Sequence, residues 1–223
     1  MTEHTMDTTL ASPVATPIPR TVRSAWIHAT ATAFGAGLGL GVLTNLAQGW
    51  LPGAWNQLAN SGSVWSVFAF VAGALLARRT SLPTAAVAGL CTEAGLVVGY
   101  YGYAQVGRHG MGSLAAPLVW LGMAFVAGPL FGVAGGWWCG RDARRRIVAV
   151  AALAGVFGME GIQYAWVLHY ATEAWACAAV VMLVPLLMLR TFAARGLALL
   201  TALPLSCVAY FVFMKLLLHA AIG

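Results

Sequence analysis

The chain has 223 residues, of which 61% are hydrophobic and 8% are charged, and its formal net charge is +6 at pH 7. Soluble domains carry about 45–50% apolar and about 25% charged residues, so this composition excludes an ordinary soluble fold. Disordered chains combine low hydrophobicity with high charge, and the same numbers exclude them. The sequence therefore predicts an integral membrane protein that is surrounded by membrane lipid. The positive net charge is not taken to indicate nucleic-acid binding.

Residues 1–22 are rich in threonine, proline and alanine and contain no apolar run, which favours a flexible cytoplasmic tail before one transmembrane domain at 23–223. Seven apolar segments follow, each close to the roughly 20 residues that an α-helix needs to cross a bilayer. The predicted fold is an all-α, polytopic membrane bundle. The segments lie near residues 24–47, 64–78, 83–104, 115–138, 147–169, 174–190 and 196–218.

The first segment carries small residues at every fourth position: Ala29, Ala33, Gly37 and Gly41. Small residues at this spacing let two helix backbones approach closely, which is how membrane helices associate. The pattern therefore predicts a helix-packing face. Its partner is either another helix of the same chain or a separate subunit.

The polar segment 50–63 follows, in which Asn56 and Asn60 lie close to tryptophans. Indole rings favour the membrane interface, so this segment is predicted at the outer surface. It forms either an interfacial helix at the mouth of a cavity or an elbow whose last residues start the next helix, with Ser63 as N-cap. The two interpretations are compatible.

Two later stretches of the chain are similar to each other. Trp65 and Trp120 are followed by the same Ala-Phe-Val-Ala-Gly sequence, and Trp175 continues the 55-residue step with a weaker match. Copies of this kind predict repeated helical hairpins related by an axis along the membrane normal.

Basic residues are distributed unequally between the polar breaks. If the chain alternates across the membrane from a cytoplasmic N-terminus, ten arginines fall on the inner side and Arg108 falls on the outer side. An excess of Lys and Arg in cytoplasmic loops sets the orientation of membrane proteins, so an external C-terminus in the cell (inner) membrane is predicted. Binding of anionic lipid by the same residues implies the same orientation. The ten are Arg20, Arg23, Arg78, Arg79, Arg141, Arg144, Arg145, Arg146, Arg190 and Arg195.

Glu93 and Glu160 lie near the middle of the third and fifth segments, at corresponding places in the two clearer repeats. An acidic residue at the bilayer centre costs about 2.5–3.5 kcal/mol on insertion scales, so such residues usually face the protein interior and mark a site. No basic residue is predicted at the same depth. If the two acids form a functional site, they are either protonated or ready to bind a cation. The structural alternative is that they are neutral carboxyls whose role is to hydrogen-bond neighbouring helices.

Further candidates share a helix face with these acids. Tyr100 follows Glu93 along one stripe, and Gln163 and Tyr164 follow Glu160. We therefore predict an ion- or substrate-binding site formed by Glu93, Glu160, Tyr100, Tyr164, Gln163, Asn56 and Asn60. No cysteine or histidine spacing indicates a metal site, and no motif indicates a cofactor.

A family resemblance rests on four stretches of the sequence: Asn56–Gly62, Thr92–Gly95 with Tyr100–Tyr101, Gly128–Gly132 and Glu160–Gly161. These stretches are similar to an uncharacterised family of bacterial multi-pass membrane proteins. The resemblance implies a membrane location and carries no activity. The small residues of the first segment are also similar in kind to those of substrate-binding components of energy-coupling vitamin transporters, which generally have six helices.

The leading functional hypothesis is binding or transport of a small solute, linked to a proton or cation at Glu93 and Glu160. The alternative is an intramembrane enzyme that acts on a lipid-like or isoprenoid substrate, with one glutamate as general acid. A photoreceptor with Lys215 as the chromophore-bearing residue and a structural assembly subunit are two further readings. Density for a molecule between the third and fifth helices would discriminate best among them.

Overall fold

The computed structural model describes residues 20–77, 81–108 and 110–217. Within these ranges the chain forms helices and no strand, so the predicted all-α class is confirmed. Residues 1–19 of the predicted tail lie outside the described ranges. The helices are α1 (Arg20–Trp50), α2 (Trp55–Ala59), α3 (Gly62–Ala77), α4 (Leu82–Gly107), α5 (Ala115–Cys139), α6 (Ala143–Gln163), α7 (Ala171–Met188) and α8 (Phe192–Ala209).

Seven helical spans in the described ranges are long and apolar enough to cross a membrane, as predicted. The second of them joins the short α2 to α3, so the polar segment before α3 contains a helical turn. Two π-helical segments, Tyr164–Leu168 and Tyr210–Leu217, extend α6 and α8 and were not predicted. These spans indicate an integral membrane protein with several membrane crossings.

The helix α1 packs on α4 through glycines. A Cβ on Gly37 or Gly41 would collide with the α4 backbone, and a Cβ on Gly95 of α4 would collide with α1. In the same predicted ladder, Ala33 is buried and Ala29 is half-buried. The glycine part of the ladder therefore faces another helix of the same chain, at a backbone separation that no larger residue permits.

A second glycine seam joins α5 to both α3 and α4. A Cβ on Gly73 of α3 or on Gly89 of α4 would meet the backbone of α5 at Gly132 or Gly128. Gly135 faces the Phe70 carbonyl of α3 in the same way. The first seam brings the backbones of α1 and α4 into contact, and the second does the same for α5 with α3 and with α4.

The pairs α3–α4 and α5–α6 are the two predicted hairpins with the clearer similarity. Their corresponding residues Trp65 and Trp120 contact each other, with ring centroids 5.2 Å apart. The third position of the series, Trp175 on α7, is 76% exposed and makes no such contact among the described rings. The helices α7 and α8 are peripheral, since most of their residues are half-buried or exposed.

Candidate functional site

Glu160 lies on α6 and is buried, with 5% of its surface exposed. Its Oε1 accepts a hydrogen bond from the Ser63 N–H at 3.0 Å, and its Oε2 accepts one from the Ser63 hydroxyl at 2.6 Å. The first N–H groups of a helix have no partner in that helix, and inside a membrane they need one from elsewhere. The Glu160 carboxyl therefore supplies acceptors to the start of α3, where the helix dipole also favours a negative group.

Ser61 caps the same helix start. The Ser61 hydroxyl accepts a hydrogen bond from the Val64 N–H at 3.1 Å and lies 3.0 Å from the Ser63 hydroxyl. The prediction of Ser63 as the N-cap is therefore wrong by two residues. The reason is that α3 begins at Gly62, which places Ser61 in the capping position and leaves the Ser63 hydroxyl free to reach Glu160.

Glu93 lies on α4, with 4% of its surface exposed. Its Oε1 is buried and has no hydrogen-bond partner among the residues that the structure describes. The side chain lines a cavity of about 30 Å³, which has room for one or two water molecules. Other residues lining this cavity come from α3, α5, α6 and the π-helical segment after α8, among them Trp65, Ser66, Phe131, Met159 and Phe213.

Gly62 connects this cavity to Glu160. It lines the cavity, and a Cβ built on it would lie 3.8 Å from Oε1 of Glu160 and 3.7 Å from the Trp120 ring. Glu93 is the only ionisable group among the described residues that line the cavity. The two acids thus have different surroundings: Glu160 binds the start of α3, and Glu93 faces the cavity beside it.

Tyr100 is directed toward α1 and not into the cavity. Its hydroxyl donates a hydrogen bond to Oε1 of Gln48, and its ring packs edge-on against Trp65 with centroids 5.8 Å apart. The Tyr100 carbonyl accepts a hydrogen bond from Nδ2 of Asn45 at 3.0 Å. Asn45 is buried, and the sequence analysis did not single it out. Its signal was an amide in the last two turns of an apolar helix.

Tyr164 lies in a second cluster, behind Glu160. It is the first residue of the π-helical turn, is buried, and stacks on Tyr170 with centroids 6.4 Å apart. Its backbone N–H donates to the Glu160 carbonyl one helical turn earlier. The structure therefore brings Tyr164 near Glu160 but places Tyr100 elsewhere.

Glu173 is a third buried acid, with 4% of its surface exposed, and the sequence analysis missed it. The sixth segment was predicted to begin at residue 174, which left Glu173 in a loop, whereas α7 begins at Ala171. A carboxyl in the first turn of a helix is favoured by the helix dipole. The spacing of Glu173 and Cys177, four residues apart on one helix face, was the available signal.

The remaining predicted site residues do not line the cavity within the described part of the chain. Gln163 is half-buried at the end of α6. Asn56 is half-buried on α2, and its Oδ1 accepts a hydrogen bond from Nε2 of Gln57 at 3.0 Å. Asn60 follows α2, and its buried Oδ1 has no partner in the described ranges.

The described side chains include no group of three His, Cys, Asp or Glu residues that converge as metal ligands.

Lys215, which the photoreceptor hypothesis requires, lies in the last π-helical segment, but its side chain is outside the described part of the structure.

The family of unknown function DUF6518 matches residues 20–219. The chain belongs to this family. This agrees with the predicted resemblance to an uncharacterised family. No curated protein and no solved structure matches the chain. The DUF6518 match spans all eight helices, and it includes Glu93, Glu160 and Glu173.

Proposed function

We propose that the protein binds or transports a small solute in a proton- or cation-linked manner, and that Glu93 is the residue that takes up the ion. The observation that carries this proposal is the buried Glu93 Oε1, which lacks a partner among the described residues and faces a cavity. An ionised carboxylate without a partner is costly in an apolar interior, so it takes up a proton or a cation.

The size of the cavity supports a small ion. About 30 Å³ accommodates a proton with a water molecule or a partly dehydrated cation, and it excludes an organic solute in this conformation. A solute site would then open when the helices around the cavity separate. We expect the start of α3 to move when Glu93 binds an ion, because Gly62 borders the cavity and the next residue, Ser63, is bonded to Glu160.

We place the protein in the cell (inner) membrane, with the tail 1–22 in the cytoplasm and the C-terminus outside. The arginine distribution supports this orientation. In the described structure, Arg141, Arg144, Arg190 and Arg195 lie in or beside the α5–α6 and α7–α8 connections, whereas Arg108 follows α4 at the opposite end of the bundle. Positively charged loops are typical of the cytoplasmic side.

The proposal is tested by infrared difference spectroscopy on the full-length protein in liposomes. A step in pH should change the carbonyl band of a buried carboxylic acid in the wild type, and Glu93→Gln should remove this change. Glu173→Gln is the matched control, because Glu173 is an equally buried acid that does not line the cavity. If the band change survives in Glu93→Gln and disappears in Glu173→Gln, the assignment of Glu93 is wrong.

A second measurement tests transport. Liposomes that contain the protein and a trapped pH indicator receive a potassium diffusion potential, inside negative. We expect acidification inside that is lost in Glu93→Gln and retained in Glu173→Gln. Suppression of the infrared change by sodium or lithium would identify a cation as the bound ion. A rate equal to that of protein-free liposomes would contradict proton transport and leave binding as the function.

A further inference from the structure

A larger cleft lies at the arginine-rich end of the molecule, away from the acids. It is formed where α5 ends, α6 begins, α7 ends and α8 begins, and its volume is about 560 Å³. Ligand sites typically have volumes of about 300–1,000 Å³, so this cleft is large enough for a molecule. One part of its lining is basic and another part is apolar, which suits a molecule with two chemically different ends.

The basic part of the lining consists of Arg146 and Arg190. The Nη2 of Arg146 donates to the Gly140 carbonyl at 2.7 Å, but its Nε is buried and has no partner in the described ranges. Within those ranges the single ion pair joins Arg145 to Asp142, at 3.6 Å. The arginines of the cleft are therefore not neutralised by any described carboxylate, and they remain available to an anion.

The start of α8 adds to the attraction for an anion. Thr191 and Ala194 line the cleft, and α8 begins between them at Phe192. The Thr191 hydroxyl accepts the Ala194 N–H at 3.3 Å. The N-terminus of a helix carries partial positive charge and unpaired N–H groups, which favour phosphate and carboxylate groups.

The apolar part of the lining is formed by Ile147, Leu187 and Met188. Leu187 is 80% exposed on the outside of the bundle, so the apolar wall of the cleft is open to the side. A free phosphate ion would contact the arginines and leave this apolar wall without a partner. A phospholipid can contact both parts of the cleft, because its phosphate can bind the arginines while its acyl chain packs on the apolar wall.

We propose that this cleft is a specific site for an anionic phospholipid, whose phosphate binds Arg146 and Arg190 and whose acyl chain lies along Leu187. Basic pockets between transmembrane helices on the cytoplasmic side are known to hold anionic headgroups. The bound lipid would tie the α5–α6 connection to the α7–α8 connection. This site is independent of Glu93 and of the proposed ion binding.

Native mass spectrometry of the full-length protein in detergent tests the site. Phosphatidylglycerol should bind as one tight copy, phosphatidylcholine should bind weakly, and inorganic phosphate should not displace the lipid. Arg146→Gln should weaken binding of phosphatidylglycerol about ten-fold or more, since a hydrogen bond to a charged group is lost. Arg144→Gln is the matched control: Arg144 is exposed on the same helix and does not line the cleft, so a change below about two-fold is expected.

Equal losses in Arg146→Gln and Arg144→Gln would overturn the proposal, because they would indicate general attraction by surface charge. Displacement of the lipid by inorganic phosphate would also overturn it, in favour of a soluble phosphate ligand. Arg146→Gln removes the hydrogen bond to Gly140, so gel filtration must show a folded protein. If it does not, Arg190→Gln decides, because Arg190 is exposed and donates no hydrogen bond within the described residues. Unchanged binding in that variant contradicts the site.

Discussion

Glu160 and Ser63 are 97 residues apart in the chain and share two hydrogen bonds in the folded protein, of 3.0 Å from the Ser63 N–H and 2.6 Å from its hydroxyl. The carboxyl of one transmembrane helix thereby completes the start of another. The contact also fixes where α3 begins, because the unpaired N–H groups of a helix start are costly in a dry environment. The same helix start borders the cavity of Glu93.

Replacement of Ser63 by alanine should destabilise the protein more than replacement of Ser66. Both side chains are buried on α3, but the Ser66 hydroxyl bonds the Gly62 carbonyl of its own helix. Ser63→Ala leaves an oxygen of Glu160 without a donor, which costs about 1–3 kcal/mol. Thermal unfolding in detergent should show a lower Tm for Ser63→Ala than for Ser66→Ala. Equal Tm values would contradict a bond of this strength.

Glu93 and Glu160 should respond in opposite directions to removal of their carboxyl groups. Glu93→Met should raise the free energy of unfolding by about 1 kcal/mol, because it removes a buried oxygen without a described partner and adds apolar volume beside a cavity. Glu160→Met should lower it by about 2 kcal/mol, because the Ser63 donors lose their acceptor. Chemical unfolding of both variants in the same detergent measures the contrast. A loss of stability in both would show that Glu93 is structural.

The glycines of α1 provide a test of the seam with α4. Gly37→Ala should destabilise the protein by about 1–3 kcal/mol, since its Cβ would collide with the Thr92 carbonyl on α4. Gly39→Ala lies two residues away on the same helix, where a Cβ meets nothing within 4 Å. That variant should be neutral or slightly stabilising, because alanine has the higher helix propensity. Equal effects on Tm would indicate that α1 does not pack as described.

Cysteine labelling tests the orientation in the membrane. In a background without native cysteines, Ser113→Cys should react in intact cells with a maleimide that does not cross membranes, and Ala143→Cys should react only after permeabilisation. Both positions are exposed: Ser113 precedes α5, and Ala143 is the first residue of α6, so they lie at opposite ends of α5. The reason for the expected pattern is the positive charge around Ala143. The reverse pattern would invert the proposed topology.

The seven spans were predictable because a helix needs about 20 apolar residues to cross a bilayer, and apolar runs of that length are visible in the sequence. Burial of Glu93 and Glu160 was predictable for a related reason, the cost of exposing an acid to lipid. Their different bonding was not predictable. The difference depends on α3 beginning at Gly62. Because the N-cap is Ser61 and not Ser63, the Ser63 hydroxyl is the one that reaches Glu160.

The tyrosines illustrate a different limit. A regular helix period places Tyr164 on the stripe of Glu160, and the structure retains their proximity across the start of the π-helical turn. Tyr100 shares a stripe with Glu93 in the same way, yet its hydroxyl bonds Gln48 of α1. A stripe specifies the direction of a side chain and not the helix that lies opposite. That choice follows from the glycine contacts between α1 and α4, which single-sequence periodicity does not reveal.

The glycine seams also limit how this protein can move. Where backbone meets backbone, as at Gly73 and Gly132, sliding by one position would drive a side chain into a neighbouring carbonyl. The helices α1, α3, α4 and α5 are therefore locked in register and should travel together as one rigid block. In the proposed transport cycle, α7 and α8 would be the helices that move against that block, because neither of them meets it along a glycine seam within the described residues.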